Sequence, residues 1–158
     1  MKNITPCLWF DGNAEEAVAF YTSVFPNSEV THTSYNSEEG TGTARSVLTI
    51  SFTLNGNKLL ALNGGPAFKF SEAISLMVEC QDQEEIDYYW EKLLEGGTPW
   101  ACGWLKDKYG LAWQIIPADF IDMITSDNET RNARVLAAMN TMIKFNIAGI
   151  VAAYHDQS

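Results

Sequence analysis

The chain has 158 residues, 46% of them apolar and 12% aromatic, which suits one ordinary domain with a sizeable core and argues against disorder. Twenty acidic residues against ten basic ones give a net charge of -10, and no basic cluster offsets it, so nucleic acid and anionic lipid are poor partners. No apolar run reaches the ~18 residues of a membrane span, and MKNITPCLWF lacks the long apolar stretch of a secretory signal.

In chain order, NITPCLWF reads as a strand. NAEEAVAFY, Asn13 to Tyr21, then opens with Asn13 and carries Glu16 three positions later, the spacing of a capping box. Ala14, Ala17, Val18, Tyr21, Val24 and Phe25 recur at helical spacing, and Pro26-Asn27 stops the helix. Strand-like runs follow in SEVTHTSY, ARSVLTISFTLNG and KLLALNGG. In the middle one Leu48, Ile50, Phe52 and Leu54 alternate with Val47, Thr49, Ser51 and Thr53.

The same order then begins again. AISLMVEC reads as a strand, and DQEEIDYYW, Asp82 to Trp90, repeats the capping pattern with Asp82 and Glu85. Its stripe is Ile86, Tyr89, Trp90, Leu93 and Leu94, ended by Gly96-Gly97. TPWACGWLKD and GLAWQII follow as strands. Asn13 and Asp82 lie 69 residues apart, so the chain reads as βαβββ twice, with the second copy's strands less clearly separated, two modules packed together rather than an array. The boundaries are 3–65 for module one, 72–117 for module two and 118–155 for a helical tail. In the tail, Ser126 and Glu129 have capping-box spacing ahead of a stripe of Val135, Leu136, Met139, Met142 and Ile143.

Cys7, Cys80 and Cys102 are odd in number, scattered and without a CxxC, which reads as reduced thiols in a cytoplasmic protein. Asp107-Lys108-Tyr109-Gly110 reads as a hairpin turn, with Lys106, Asp107 and Lys108 as solvated turn charges. Arg45 reads as an exposed strand-edge residue. The two glycines of LNGGP have no phosphate-binding spacing and open no helix, so nucleotide binding is not expected there.

The phrases PCLWFDGNAEEAVAFYTSVFPNS, LNGGPAFKFSEAISLMVEC, YYWEKLLEGG and CGWLKDKYGLAWQIIP, in paired βαβββ units, resemble the PhnB-like branch of the vicinal-oxygen-chelate superfamily. That superfamily includes glyoxalase I, extradiol dioxygenases and bleomycin-resistance proteins, and the branch is often labelled 3-demethylubiquinone-9 3-methyltransferase. The likeness spans residues 4 to about 150. It implies an α+β fold, two βαβββ modules of the glyoxalase/bleomycin-resistance/dioxygenase fold with a C-terminal helical tail. It further implies that the two sheets form one cup and that chains pair as homodimers, with the tail helices at the interface.

Members usually hold a divalent metal on the first and last strands of each module. The matching positions are Pro6 and, through the 69-residue offset, Ser75; Gln114, four beyond Gly110; and Leu60, four beyond Gly56, or Ala61 with a one-residue slip. Proline and leucine donate nothing, and neutral Ser and Gln are poor ligands for a dication, so no metal and no other cofactor is expected. Strand alternation from these positions puts Leu8, Phe10, Met77, Glu79, Ala112 and Ile116 in the cup. It puts Cys7, Ile74, Leu76, Val78, Leu111, Trp113 and Ile115 toward the helices.

The candidate ligand-binding residues are therefore Phe10, Ser75, Met77, Glu79, Cys102 and Gln114, with a small organic molecule as ligand; no catalytic residue is assigned. Cys102 also reads as an inert buried thiol. Phe68 and Phe70 read either as part of a connector or as aromatics stacking on ligand. Three functions follow. One is a metal-free binding protein. Another is an enzyme of the same fold, a lyase for example, with Glu79, Gln114 or Cys102 acting; Glu79 in an apolar wall would have a raised pKa and act as base. The third is the labelled methyltransferase, although no glycine-rich strand-to-helix loop of the usual cofactor-binding type is present.

Overall fold

A computed structural model describes residues 4–38 and 43–155, so the expected start of module one at residue 3 lies outside the described residues. The elements run β1 (Cys7–Phe10), α1 (Ala14–Val24), β2 (Glu29–Tyr35), β3 (Val47–Leu54), β4 (Asn57–Asn63), β5 (Leu76–Cys80), α2 (Gln83–Leu94), β6 (Thr98–Pro99), β7 (Trp104–Lys106), β8 (Ala112–Pro117), α3 (Phe120–Ile124), α4 (Glu129–Met139) and α5 (Ile147–His155). They form two four-stranded mixed sheets, ordered β1-β4-β3-β2 and β5-β8-β7-β6. In each, the first strand of the module runs parallel to the last, and the other pairs are antiparallel. The expected βαβββ repeat and helical tail are both present. Two compact units divide the chain, one up to Phe70 and one from Ser71 onward.

In the first unit, Leu8, Phe10, Ile50, Phe52, Leu54, Leu59 and Ala61 are all buried, while their strand neighbours Trp9, Thr49, Ser51, Leu60 and Leu62 are half-exposed. Asn63 lies on the same side of β4 as Leu59 and Ala61. Its amide donates to Glu15 and its oxygen accepts from the Ala14 N–H, so this is the side that α1 covers. The packed helix residues are Ala14, Ala17, Val18, Tyr21 and Val24. Asn13 makes no side-chain cap; Asn63 satisfies the first helical N–H instead of the expected capping box.

In the second unit, Cys80, Leu105, Trp113 and Ile115 are buried, with Leu76 and Val78 beside them, against Ile86, Trp90 and Leu93 of α2. Here the Asp82 half of the capping box forms, and Glu85 reaches one residue beyond the cap. Asp82 accepts from the Glu85 N–H at 2.9 Å, and Glu85 reaches back to the N–H of Gln81 at 2.8 Å.

Face assignment by a constant offset fails in module one. Register pairs Cys7 with Leu60 and Met77 with Gln114, so Cys7 matches Met77 and Phe10 matches Cys80, an offset of 70 rather than 69. The helices keep the offset of 69: Ala17 and Tyr21 match Ile86 and Trp90. The difference is one residue in the strand-to-helix link. Asp11 and Gly12 separate Phe10 from Asn13, whereas Gln81 alone separates Cys80 from Asp82. Gly12 takes the extra residue up in a left-handed conformation, φ 78°. Leu8 and Phe10 therefore pack against α1, and Cys7 and Trp9 face away from it. This reverses the expectation for all three positions it covered.

The tail also differs in detail. α4 is capped by Asn128, which accepts from the Arg131 N–H at 2.9 Å, while Ser126 bonds Asn132. The helix ends at Met139, so Met142 and Ile143 belong to the connector before α5. No helix of the described residues is long and apolar enough to cross a membrane.

Candidate ligand-binding face of the second module

The side of the second sheet turned away from α2 is built by alternation from β5, β8 and β7. Met77 pairs with Gln114, Gln114 with Trp104, Glu79 with Ile116 and Lys106 with Ala112. Ser75, just ahead of β5, accepts a hydrogen bond from Gln114 Nε2 at 2.8 Å. Four of the expected site residues, Ser75, Met77, Glu79 and Gln114, thus share one face. Met77 is 46% exposed there, a large apolar side chain left open to solvent beside a fixed amide. Ala112 and Ile116 are buried on the same side. Glu79 stands exposed near the end of β5 rather than in an apolar wall. Ile74, expected toward the helix, precedes the strand and is 61% exposed.

Two neighbours on this face were not assigned from sequence, Trp104 and Lys106. Counting outward from the β7–β8 turn would have found them, because the Asp107 N–H donates to the Leu111 carbonyl and each step then adds one pair. Lys106 Nζ lies 5.3 Å from the Trp100 ring centre and 3.8 Å from Glu72 Oε1.

Asp107 overturns the reading of the turn as solvated charge. It is 3% exposed. One carboxylate oxygen accepts from the N–H groups of Tyr109 and Leu111, and the other from the indole N–H of Trp113 at 2.8 Å. A carboxylate with this many donors is the hub of the hairpin and locks Trp113 in the helix-side core.

Phe10 and Cys102 lie elsewhere. Phe10 is 2% exposed on the α1 side of the first sheet, with Phe70 edge-on at 5.3 Å. Cys102 is at the bend between β6 and β7, and its thiol points to the Met139 carbonyl and the Asn140 side chain at 3.7 and 3.6 Å. Cys80 has no exposed surface, and burial, then Glu85 and Asp82, push its thiol up to about 12.

In the first module, Trp9 is the aromatic on the side away from α1. The LNGGP segment folds over it. Trp9 Nε1 donates to the Gly65 carbonyl at 2.8 Å, Phe68 stands edge-on at 4.9 Å, and a Cβ on Gly64 would clash with the indole. Phe68 is 66% exposed. Arg45 sits in a left-handed turn residue before β3, φ 67°.

Residues 2–116 match the family described as 3-demethylubiquinone-9 3-methyltransferase. The chain belongs to this family, the PhnB-like branch of the vicinal-oxygen-chelate superfamily. A PhnB protein from Bacillus cereus is 38% identical, with a TM-score of 0.66 over 73% of this chain and 99% of that one. A Pseudomonas aeruginosa protein shares the fold at 19% identity, TM-score 0.58, over 74% and 98% of the two chains. So does the fosfomycin resistance protein FosX from Listeria monocytogenes, solved with Mn(II) and a dihydroxypropylphosphonic acid, at 16% identity and TM-score 0.54, over 75% and 93%. No curated protein matches. The family match ends at residue 116, short of the residue 150 to which the likeness was expected to run, so the tail stands outside it.

The metal common in the superfamily does not fit the residues here. In the first module Leu60 and Pro6 offer no side-chain donor, and the register partner of Leu60 is the single thiol of Cys7. In the second, the donors are the neutral Ser75 and Gln114, already bonded to each other. Among the described residues no three His, Cys, Asp or Glu side chains converge.

Proposed function

We propose that this PhnB-like protein binds a small organic molecule, without a metal, on the open face of its second sheet. One observation carries the reading: an exposed Met77 beside a Gln114 whose amide is held in place by Ser75. An apolar surface with one oriented polar group is the usual composition of a small-molecule site, and orienting that group in advance lowers the cost of binding. Gln114 would fix orientation, Met77 and Trp104 would supply contact area, and Glu79 would border the site. Phe10 and Cys102 drop out of the contact set for the reasons of placement given above. We place the protein in the cytoplasm as a homodimer, and Ile121, Leu136 and Ile143, 42, 40 and 58% exposed on the tail, are the apolar groups available to a second copy.

A thermal-shift screen of small aromatic and phosphonate compounds tests the reading, the phosphonates being prompted by the FosX complex. A compound that raises the melting temperature of the wild type but not of Gln114→Leu supports it. If nothing shifts the wild type and Gln114→Leu simply melts higher, the face is packing surface and the proposal fails.

The family description favours a second reading, methyl transfer. The links from the first strand of each module into its helix are Phe10-Asp11-Gly12-Asn13 and Cys80-Gln81-Asp82. Neither is the glycine-rich cradle that usual methyltransferase cofactor sites use. Calorimetry with S-adenosylmethionine decides: measurable heat of binding would establish this reading over the first.

A further inference from the structure

We infer that the C-terminal tail is a built-in clamp on the second module: the connector between α4 and α5 holds the Cys102–Gly103 corner and thereby fixes Trp104 beside Gln114 on the open face.

The corner is strained. Cys102 and Gly103 are both left-handed, φ 59° and 75°, and a non-glycine residue holds that conformation only where its surroundings impose it. Two sets of bonds do so. On one side the N–H groups of Cys102 and Gly103 donate to the carbonyls of Met142 and Ile143, each at 2.8 Å. On the other, the Gly103 carbonyl accepts from the Ile115 N–H of β8 at 2.8 Å. Phe145, 1% exposed, lies so close over the corner that a Cβ on Gly103 would meet its ring at 2.7 Å. The bend separates β6 from β7 within TPWACGWLKD, and Trp104 is the first residue after it.

The connector is anchored separately on α2. The Gln83 side chain donates to the Phe145 carbonyl at 3.1 Å and accepts from the Ile147 N–H at 2.9 Å, and Lys144 pairs with Asp87 at 2.6 Å. Between Met142 and Ile147, the first two residues thus grip the corner, and Lys144, Phe145 and Ile147 hold the helix. All of them lie beyond the family match, so the clamp is an addition to the shared fold.

Thiol labelling on the full-length protein reads the clamp directly, because the Cys102 thiol faces the connector. Iodoacetamide labelling is followed at each cysteine by peptide mass spectrometry under native conditions. Gln83→Leu removes both anchoring bonds and should speed Cys102 labelling about tenfold, with exposed Cys7 and buried Cys80 unchanged. Lys144→Glu, a milder surface change opposite Asp87, should speed it about two- to threefold. Unchanged Cys102 labelling in both variants would overturn the proposal, and so would a rise of Cys80 in step with Cys102, which would mean that the module opens as a whole. The part concerning Trp104 as a ligand contact rests on the proposed binding face. A compound screen that fails removes that contact and leaves the labelling result standing.

Discussion

Asp107 gathers two backbone N–H groups and one indole N–H around a single buried carboxylate. Truncating it strands donors that water cannot reach, each costing about 1–3 kcal/mol. Asp107→Ala should therefore lose roughly 2–4 kcal/mol of stability by urea titration, whereas Lys108→Ala in the same turn should stay within about 0.5 kcal/mol. Cys80 gives a pH signature. Its thiol rises from 9.0 to about 12 in the fold, so the stabilisation is complete below pH 9 and is lost as pH climbs toward 12, because the unfolded chain ionises first. The wild-type urea midpoint should fall from pH 9 to about pH 11 more steeply than that of Cys80→Ala.

At the scale of elements, the two faces of β1 separate structural from exposed positions. Phe10→Ala should cost about 3–5 kcal/mol, as a large side chain lost from a packed core, and Cys7→Ala less than about 1 kcal/mol. Equal losses in chemical denaturation would show the face assignment to be wrong. Helices, strands and their order were legible because periodicities of 3.6 and 2 survive in each segment. The faces of β5 and β8 were legible as well, since Ser75, Met77, Glu79 and Gln114 follow the alternation as counted. The faces of β1 were not. A one-residue difference in a loop is invisible to a count that carries the helix offset into the strand, and it inverts every side chain. Asp107 was missed because a charged residue in a turn reads the same whether its partners are water or three N–H groups. The corner at Cys102 was missed because its conformation is imposed from the tail, some 40 residues away in sequence, and nothing local encodes it.

For the molecule as a whole, a net charge of -10 favours solubility and disfavours polyanionic partners. Homodimer formation would place light scattering near twice the 17.6 kDa of one chain at micromolar concentration. Ile143→Asp, on the most exposed of the tail's large apolar residues, should shift that mass toward one chain if the tail is the contact. Scattering at the single-chain mass for the wild type would dispose of the dimer.

The extra residue at Asp11-Gly12 also bears on how the two halves can be recombined. A chimera joined within a strand, or within a helix, keeps each frame intact. One cut between them, importing the shorter connector into the first half, would turn Leu8 and Phe10 outward and bury Trp9. The duplicated halves are thus interchangeable as cassettes only at seams that leave this one-residue offset where it arose.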